Sequence, residues 1–166
     1  MIFVGLGANL PSRFGSPEQT LEAAKLALDR AGVTVVASSH TWRSAPVPVS
    51  DDPWYCNAVV AVETDKAPRQ VLEALLAIED DFGRQRSTLN APRLIDLDLL
   101  AYDDEAIGET AFVLPHPRMH ERAFVLLPLR EITPGWRHPV LDKTIDELIE
   151  DLPADQVLKL IEEDAA

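Results

Sequence analysis

The sequence predicts an α+β fold, with elements in the order β-α-β-β-α-β followed by a mostly helical C-terminal part. Three observations predict it: short β-rich runs, two amphipathic stripes at helical spacing between them, and glycine or proline at the junctions. Ile2 to Ala8 reads as the first strand, closed by Asn9-Leu10-Pro11. Ser16-Pro17-Glu18-Gln19 is a helix start, with serine at the cap, proline at the first helical position and glutamine at the reciprocal capping-box position. Leu21, Ala24, Leu28 and Ala31 continue it as an apolar stripe, and Gly32 ends it. Val33 to Thr41 is β-rich and leads into a loop from Arg43 to Pro53. Asn57 to Thr64 reads as a strand, Ala67 to Phe82 as the second helix, and Gly83 as its stop. A polar loop from Arg84 to Pro92 precedes a strand from Leu94 to Tyr102. Glu121 to Ile132 then reads as a helix that Pro128 should kink or end early. Thr133-Pro134-Gly135 is a turn, and Thr144 to Asp151 and Asp155 to Glu163 read as short helices. The order through Tyr102 is that of a ferredoxin-like sandwich, an antiparallel sheet with its helices on one face, here with a helical C-terminal extension.

The 166 residues fit one domain, residues 1–166, long enough to bury a core without disulfides. Cys56 is the only cysteine, so no intrachain disulfide can form and nothing indicates an oxidising compartment. No signal peptide and no apolar run of membrane-spanning length is evident, so a soluble cytoplasmic protein is expected. A net charge of −13 argues against general affinity for nucleic acid or anionic membrane. The basic residues are nevertheless clustered: Arg84, Arg86, Arg93, Arg118 and Arg122 share one stretch with His116 and His120. Arginines grouped in an acidic chain suit bidentate phosphate contacts, although surface salt bridges would also use them.

Asp96-Leu97-Asp98 lies on the strand before Tyr102, where alternation sends both carboxylates to one face and Ile95, Leu97 and Leu99 to the other. Two adjacent carboxylates repel unless a cation lies between them, and magnesium commonly takes one or two carboxylates plus substrate phosphates. A solvated edge strand would show the same pattern. Arginines beside such a pair supply what phosphoryl transfer needs, and no G-x-x-x-x-G-K-[ST] segment provides a Walker-type site. Gly5-x-Gly7 lacks dinucleotide-fingerprint spacing and reads as a bend or a close backbone approach. Glu79 falls on the apolar stripe of Val71, Leu72, Leu75, Ile78 and Phe82, so it points toward the core or reaches its edge to pair with an arginine. His116 sits between prolines, which favours a phosphate contact over metal ligation together with His120. Trp54-Tyr55-Cys56-Asn57 offers an aromatic and a carboxamide for a flat heterocycle, or simply a core cover and a turn cap.

Taken in order, these segments resemble the 6-hydroxymethyl-7,8-dihydropterin pyrophosphokinase family from the N-terminus to about residue 142. The resemblance is carried by Gly5-Leu6-Gly7-Ala8-Asn9-Leu10, Tyr55-x-Asn57-Ala58, Glu79-x3-Gly83-Arg84-x-Arg86, Pro92-Arg93-x2-Asp96-Leu97-Asp98, Pro115-His116 and Arg122-x-Phe124. It implies transfer of pyrophosphate from ATP to the hydroxymethyl group of the pterin, with release of AMP, in folate biosynthesis. It also implies two magnesium ions on Asp96 and Asp98, and Arg84, Arg93, His116 and Arg122 on ATP phosphates or assisting transfer. Arg86 would lie nearby on a mobile loop and Glu79 in the nucleotide and active-site network. Tyr55, Asn57 and Phe124 would form the pterin pocket, completed by backbone around Ser44, Ala45, Pro46 and Val47, with Phe124 stacked on the ring. The chain departs from the family at a shorter loop, Ser87 to Ala91, which carries Leu89 and Asn90, and at Pro117. A monomer with no nucleic-acid or membrane partner is expected.

Overall fold

The computed structural model describes residues 1–45, 53–83, 94–156 and 158–160. Strand β1 (Ile2–Ala8) is followed by helix α1 (Pro17–Arg30), strands β2 (Thr34–Ser38), β3 (Trp42–Ser44) and β4 (Tyr55–Glu63), helix α2 (Pro68–Asp81) and strand β5 (Asp96–Tyr102). A hairpin of β6 (Ile107–Glu109) and β7 (Phe112–Leu114), helices α3 (Ala123–Ile132) and α4 (Ile145–Glu150), and β8 (Leu158–Leu160) complete it. The result is a mixed helix and antiparallel-sheet architecture. Its main sheet runs β5-β1-β4-β3-β8, with β2 pairing β4 as well.

The local signals behave as their chemistry dictates. Ser16 Oγ accepts from the Gln19 backbone N–H at 3.3 Å, and Gln19 Oε1 accepts from the Ser16 N–H at 2.8 Å. Gly32 and Gly83 end the first two helices with φ of 81° and 108°, a region that costs other residues strain. Between β2 and β3 the edge strand breaks at Ser39. There the Ser39 hydroxyl, in place of a backbone carbonyl, accepts from the Val59 N–H at 3.0 Å.

Three expectations need correction. Arg43 and Ser44, read as loop, belong to β3, because β4 offers them an open edge at Tyr55 and Cys56. Of the expected Asp155–Glu163 helix, residues 158–160 are a strand paired with β3, and residues 157 and 161–163 lie outside the described residues. A short Leu-Lys-Leu run is periodic enough for either state, and the free edge of β3 decides it. Finally, the early end expected at Pro128 does not occur: α3 runs through it to Ile132, because burial of Val125, Leu126 and Leu129 outweighs one lost backbone bond.

The helices also cover both faces of the sheet rather than one. One core joins Val4, Leu6, Val60 and Leu97 to Leu21, Leu28 and Leu75 of α1 and α2. The other joins Phe3, Val59, Ala61 and Leu100 to Leu126, Leu129, Ile145 and Leu148 of α3 and α4. This second cover spans only one end of its face. Cys56, on the first face, donates a hydrogen bond from its thiol to Glu18 Oε1 at 3.3 Å. Burial and that carboxylate push the thiol up to about 12, so the cysteine stays protonated.

Candidate active site

At the uncovered end, residues that face each other across strands share one side of the sheet. Gly7 of β1 lies opposite Asn57 of β4 on one side and Asp96 of β5 on the other. One pair further on, Gly5 lies between Val59 and Asp98. The two glycines are thus neither a bend nor a phosphate loop. They are strand residues whose missing side chains leave a floor between the carboxylates and the amide. A Cβ on Gly7 would stand 3.2 Å from Asn57 Nδ2.

Asn57 is buried, and its Oδ1 accepts from the Ser44 hydroxyl at 2.6 Å, which leaves the amide N–H groups for another acceptor. Tyr55 lies two residues before it on the same face, opposite Ser44. Asp96 and Asp98 are both half-buried, and Leu97 between them is packed in the opposite core, as strand alternation requires. Arg122 Nη1 stands 3.9 Å from Asp98 Oδ2, and its guanidinium lies 5.4 Å from the centre of the Phe124 ring. These groups surround a cavity of about 560 Å³, of a size that holds a flat heterocycle with phosphates attached.

Of the residues expected from sequence, Ser44, Ala45, Tyr55, Asn57, Asp96, Asp98, Arg122 and Phe124 all line this one cavity. Pro46, Val47, Arg84, Arg86 and Arg93 lie outside the described residues, as do Leu89 and Asn90. Glu79 does not reach the cavity. It is 4% exposed on the far face of the sheet, where its Oε2 accepts from the Leu97 N–H at 2.9 Å. The charged group on an apolar stripe is therefore bonded to the backbone of edge strand β5, at the residue between the two aspartates. Sequence reasoning missed Pro153, Asp155 and Gln156, which line the cavity from the C-terminal segment. Their composition carries no signal for that.

His116 does not line this cavity and borders a second one of about 390 Å³. Its Nδ1 accepts from the Arg118 N–H at 3.2 Å, so Nε2 carries the ring proton. Burial holds its pKa below the ordinary value, although the Asp98 carboxylate pulls upward; Arg122 and Arg118 add to the depression. His138 is depressed by burial and then by His120, and its Nδ1 accepts from the Val140 and Leu141 N–H groups at 3.2 and 3.0 Å. Both rings therefore take up a proton less readily in the folded chain than in the unfolded chain, where histidine titrates near pH 6.5. Stability should therefore fall as pH drops from about 6.5 toward the lower folded values, since the unfolded state then holds more protons. Thermal midpoints should decline between pH 7 and 5, and a midpoint that rises over that range would contradict the assignment.

Among the described residues no group of three or more His, Cys, Asp or Glu side chains is placed to hold a metal. At the site Asp96 and Asp98 put two hard oxygen ligands on one strand face. Such a pair fits magnesium, which keeps positions for phosphate oxygens, and does not fit a closed zinc site.

Residues 3–134 match the family model described as 7,8-dihydro-6-hydroxymethylpterin-pyrophosphokinase. The chain is 40% identical over 132 residues to a 2-amino-4-hydroxy-6-hydroxymethyldihydropteridine pyrophosphokinase of Methylorubrum extorquens, covering 80% of this chain and 82% of the relative. It is 35% identical over 159 residues to the enzyme of the same name from Haemophilus influenzae, with 95% and 96% covered. Among solved structures, a Plasmodium falciparum HPPK-DHPS chain superposes with a TM-score of 0.71 at 16% identity, a likeness of fold. That superposition covers 90% of this chain and 42% of the Plasmodium chain.

Proposed function

The chain belongs to the 7,8-dihydro-6-hydroxymethylpterin-pyrophosphokinase family, and on that premise we propose how its residues work. It is an ATP-dependent pyrophosphokinase of folate biosynthesis, which moves the terminal diphosphate of ATP to the hydroxymethyl oxygen of 6-hydroxymethyl-7,8-dihydropterin. We read the sheet order as ferredoxin-like with its edge strand broken at Ser39, and residues 1–166 as one catalytic domain, a cytoplasmic monomer. The observation that carries the site reading is the row Asp96–Gly7–Asn57, which sets a carboxylate and a buried amide on one floor beside Phe124.

In this reading the pterin lies over the glycine floor. Asn57 offers its amide N–H groups to the ring edge, Tyr55 and the backbone at Ser44, Ala45, Pro46 and Val47 close the side, and Phe124 stacks on the ring. The hydroxymethyl oxygen forms a bond to the β-phosphorus of ATP as the bond from that phosphorus to the α-phosphate oxygen breaks. AMP leaves and the hydroxyl proton is lost to solvent or to a phosphate oxygen. Asp96 and Asp98 would hold magnesium, two ions by the resemblance, which supplies positive charge to the phosphate oxygens and orients them. Arg122, with Arg84, Arg86 and Arg93, stabilises charge that grows on phosphate in the transition state. His116 presents its Nε2–H to a phosphate oxygen.

The test is to supply Mg-ATP with and without 6-hydroxymethyl-7,8-dihydropterin and to measure AMP. AMP that forms only with the acceptor is expected. ATP hydrolysis independent of acceptor, or no AMP in either case, refutes the reading.

A further inference from the structure

We infer that Gln156, which lies beyond the family-matched residues 3–134, is a positioning residue of the active site that sets where Arg122 and Phe124 point. The inference rests on the reading of those two residues as phosphate and pterin contacts. The Gln156 amide makes two short bonds to backbone on either side of Arg122. Its Nε2 donates to the Glu121 carbonyl at 2.7 Å, and its Oε1 accepts from the Ala123 N–H at 2.7 Å. One side chain thus grips residues 121 and 123 as a neighbouring strand would, with Arg122 held between them.

This segment needs such support. Ala123 opens α3, where the first N–H groups have no partner within the helix, and Arg122 before it provides no side-chain cap. Pro128, four residues after Phe124, has no N–H for the Phe124 carbonyl and crowds it, so the turn that carries Phe124 is short of internal bonds. Gln156 satisfies the open end from outside.

The same C-terminal segment is tied to the opposite wall. Leu158 pairs with Ser44 of β3, and Ser44 holds the Asn57 amide. Between these anchors, Pro153, Asp155 and Gln156 themselves line the cavity. The segment spans from the Phe124 side to the Asn57 side of the acceptor site and fixes the distance between them.

Steady-state kinetics on the full chain test this. Gln156→Ala should raise the KM for the pterin roughly tenfold, with a smaller change in kcat and a thermal midpoint close to that of the unmodified chain. In a Phe124→Ala background the same substitution should add little, since Gln156 acts through that residue. A pterin KM within twofold of the unmodified chain, or a full further loss in the Phe124→Ala background, overturns the inference. Should Gln156→Ala fail to fold, Gln156→Glu keeps the bond to Ala123 but sets a carboxylate against the Glu121 carbonyl. It must then show the raised KM, and a normal value overturns the inference. Turnover by the unmodified chain separates the two readings: no acceptor-dependent AMP refutes the pyrophosphokinase function, whereas normal turnover with unaltered variants refutes the role of Gln156 alone.

Discussion

Asp98→Ala should lower acceptor-dependent AMP formation by on the order of a hundred- to a thousandfold while the fold persists. Its carboxylate shares a strand face with Asp96 and lines the cavity, so its loss removes one of the two carboxylates proposed to hold magnesium. The cost to stability should be small. The Asp98 side chain is 41% exposed, and its ion pair with Arg122 spans 3.9 Å. Pairs of that kind contribute about 0–1 kcal/mol. A loss of turnover with a retained thermal midpoint therefore separates chemistry from folding. A second readout follows from His116, whose pKa the Asp98 charge pulls upward against burial. In Asp98→Ala that pull is gone, and the ring should titrate lower still by NMR. Near-normal AMP formation, or a His116 titration that moves upward, would contradict the assignment.

The fold was legible wherever backbone chemistry is local. The Ser16-Pro17-Glu18-Gln19 start, the Gly32 and Gly83 stops and the strand at Ile2–Ala8 are each specified by adjacent residues, and each is found. What sequence could not show is what a segment pairs with. β3 and β8 are short runs whose state depends on edges supplied from far along the chain, at Tyr55–Asn57 and Trp42–Ser44. The second helical layer had a local signal that the expectation of helices on one face did not use. The run Ala58 to Val62 is apolar at every position, which marks a strand covered on both faces, and the two cores confirm that it is.

The site was legible in a different way. Asp96 and Asp98 declared their common face by alternation, which the burial of Leu97 and Leu99 matches. The glycines did not declare theirs, because a glycine in a strand is explained only by its cross-strand neighbours. Gly7 acquires its meaning from Asn57 and Asp96, residues 50 and 89 positions away. Gln156 was beyond reach altogether, since a polar residue in an acidic C-terminal segment shows no partner until α3 is placed.

Glu79 joins the two kinds of information, because its place on an apolar stripe was visible and its partner was not. Removing it should cost both stability and activity. In Glu79→Ala the buried Leu97 N–H loses the acceptor now 2.9 Å away, a loss of about 1–3 kcal/mol for an unsatisfied buried donor. For a chain of 166 residues, that should lower the thermal midpoint by roughly 2–4 °C per kcal/mol. The activity loss follows from position. Leu97 is the residue between the two aspartates, so a slack backbone there lets both carboxylates drift from the proposed magnesium-holding geometry. The magnesium concentration for half-maximal rate should rise in Glu79→Ala, together with a fall in kcat of roughly tenfold or more. Glu79→Gln keeps an oxygen acceptor of nearly the same shape, and its magnesium dependence should stay close to that of the unmodified chain. If Glu79→Ala loses stability but keeps its magnesium dependence, Glu79 supports the core alone. If Glu79→Gln shifts the magnesium dependence as far as Glu79→Ala does, the carboxylate charge matters rather than the bond to Leu97.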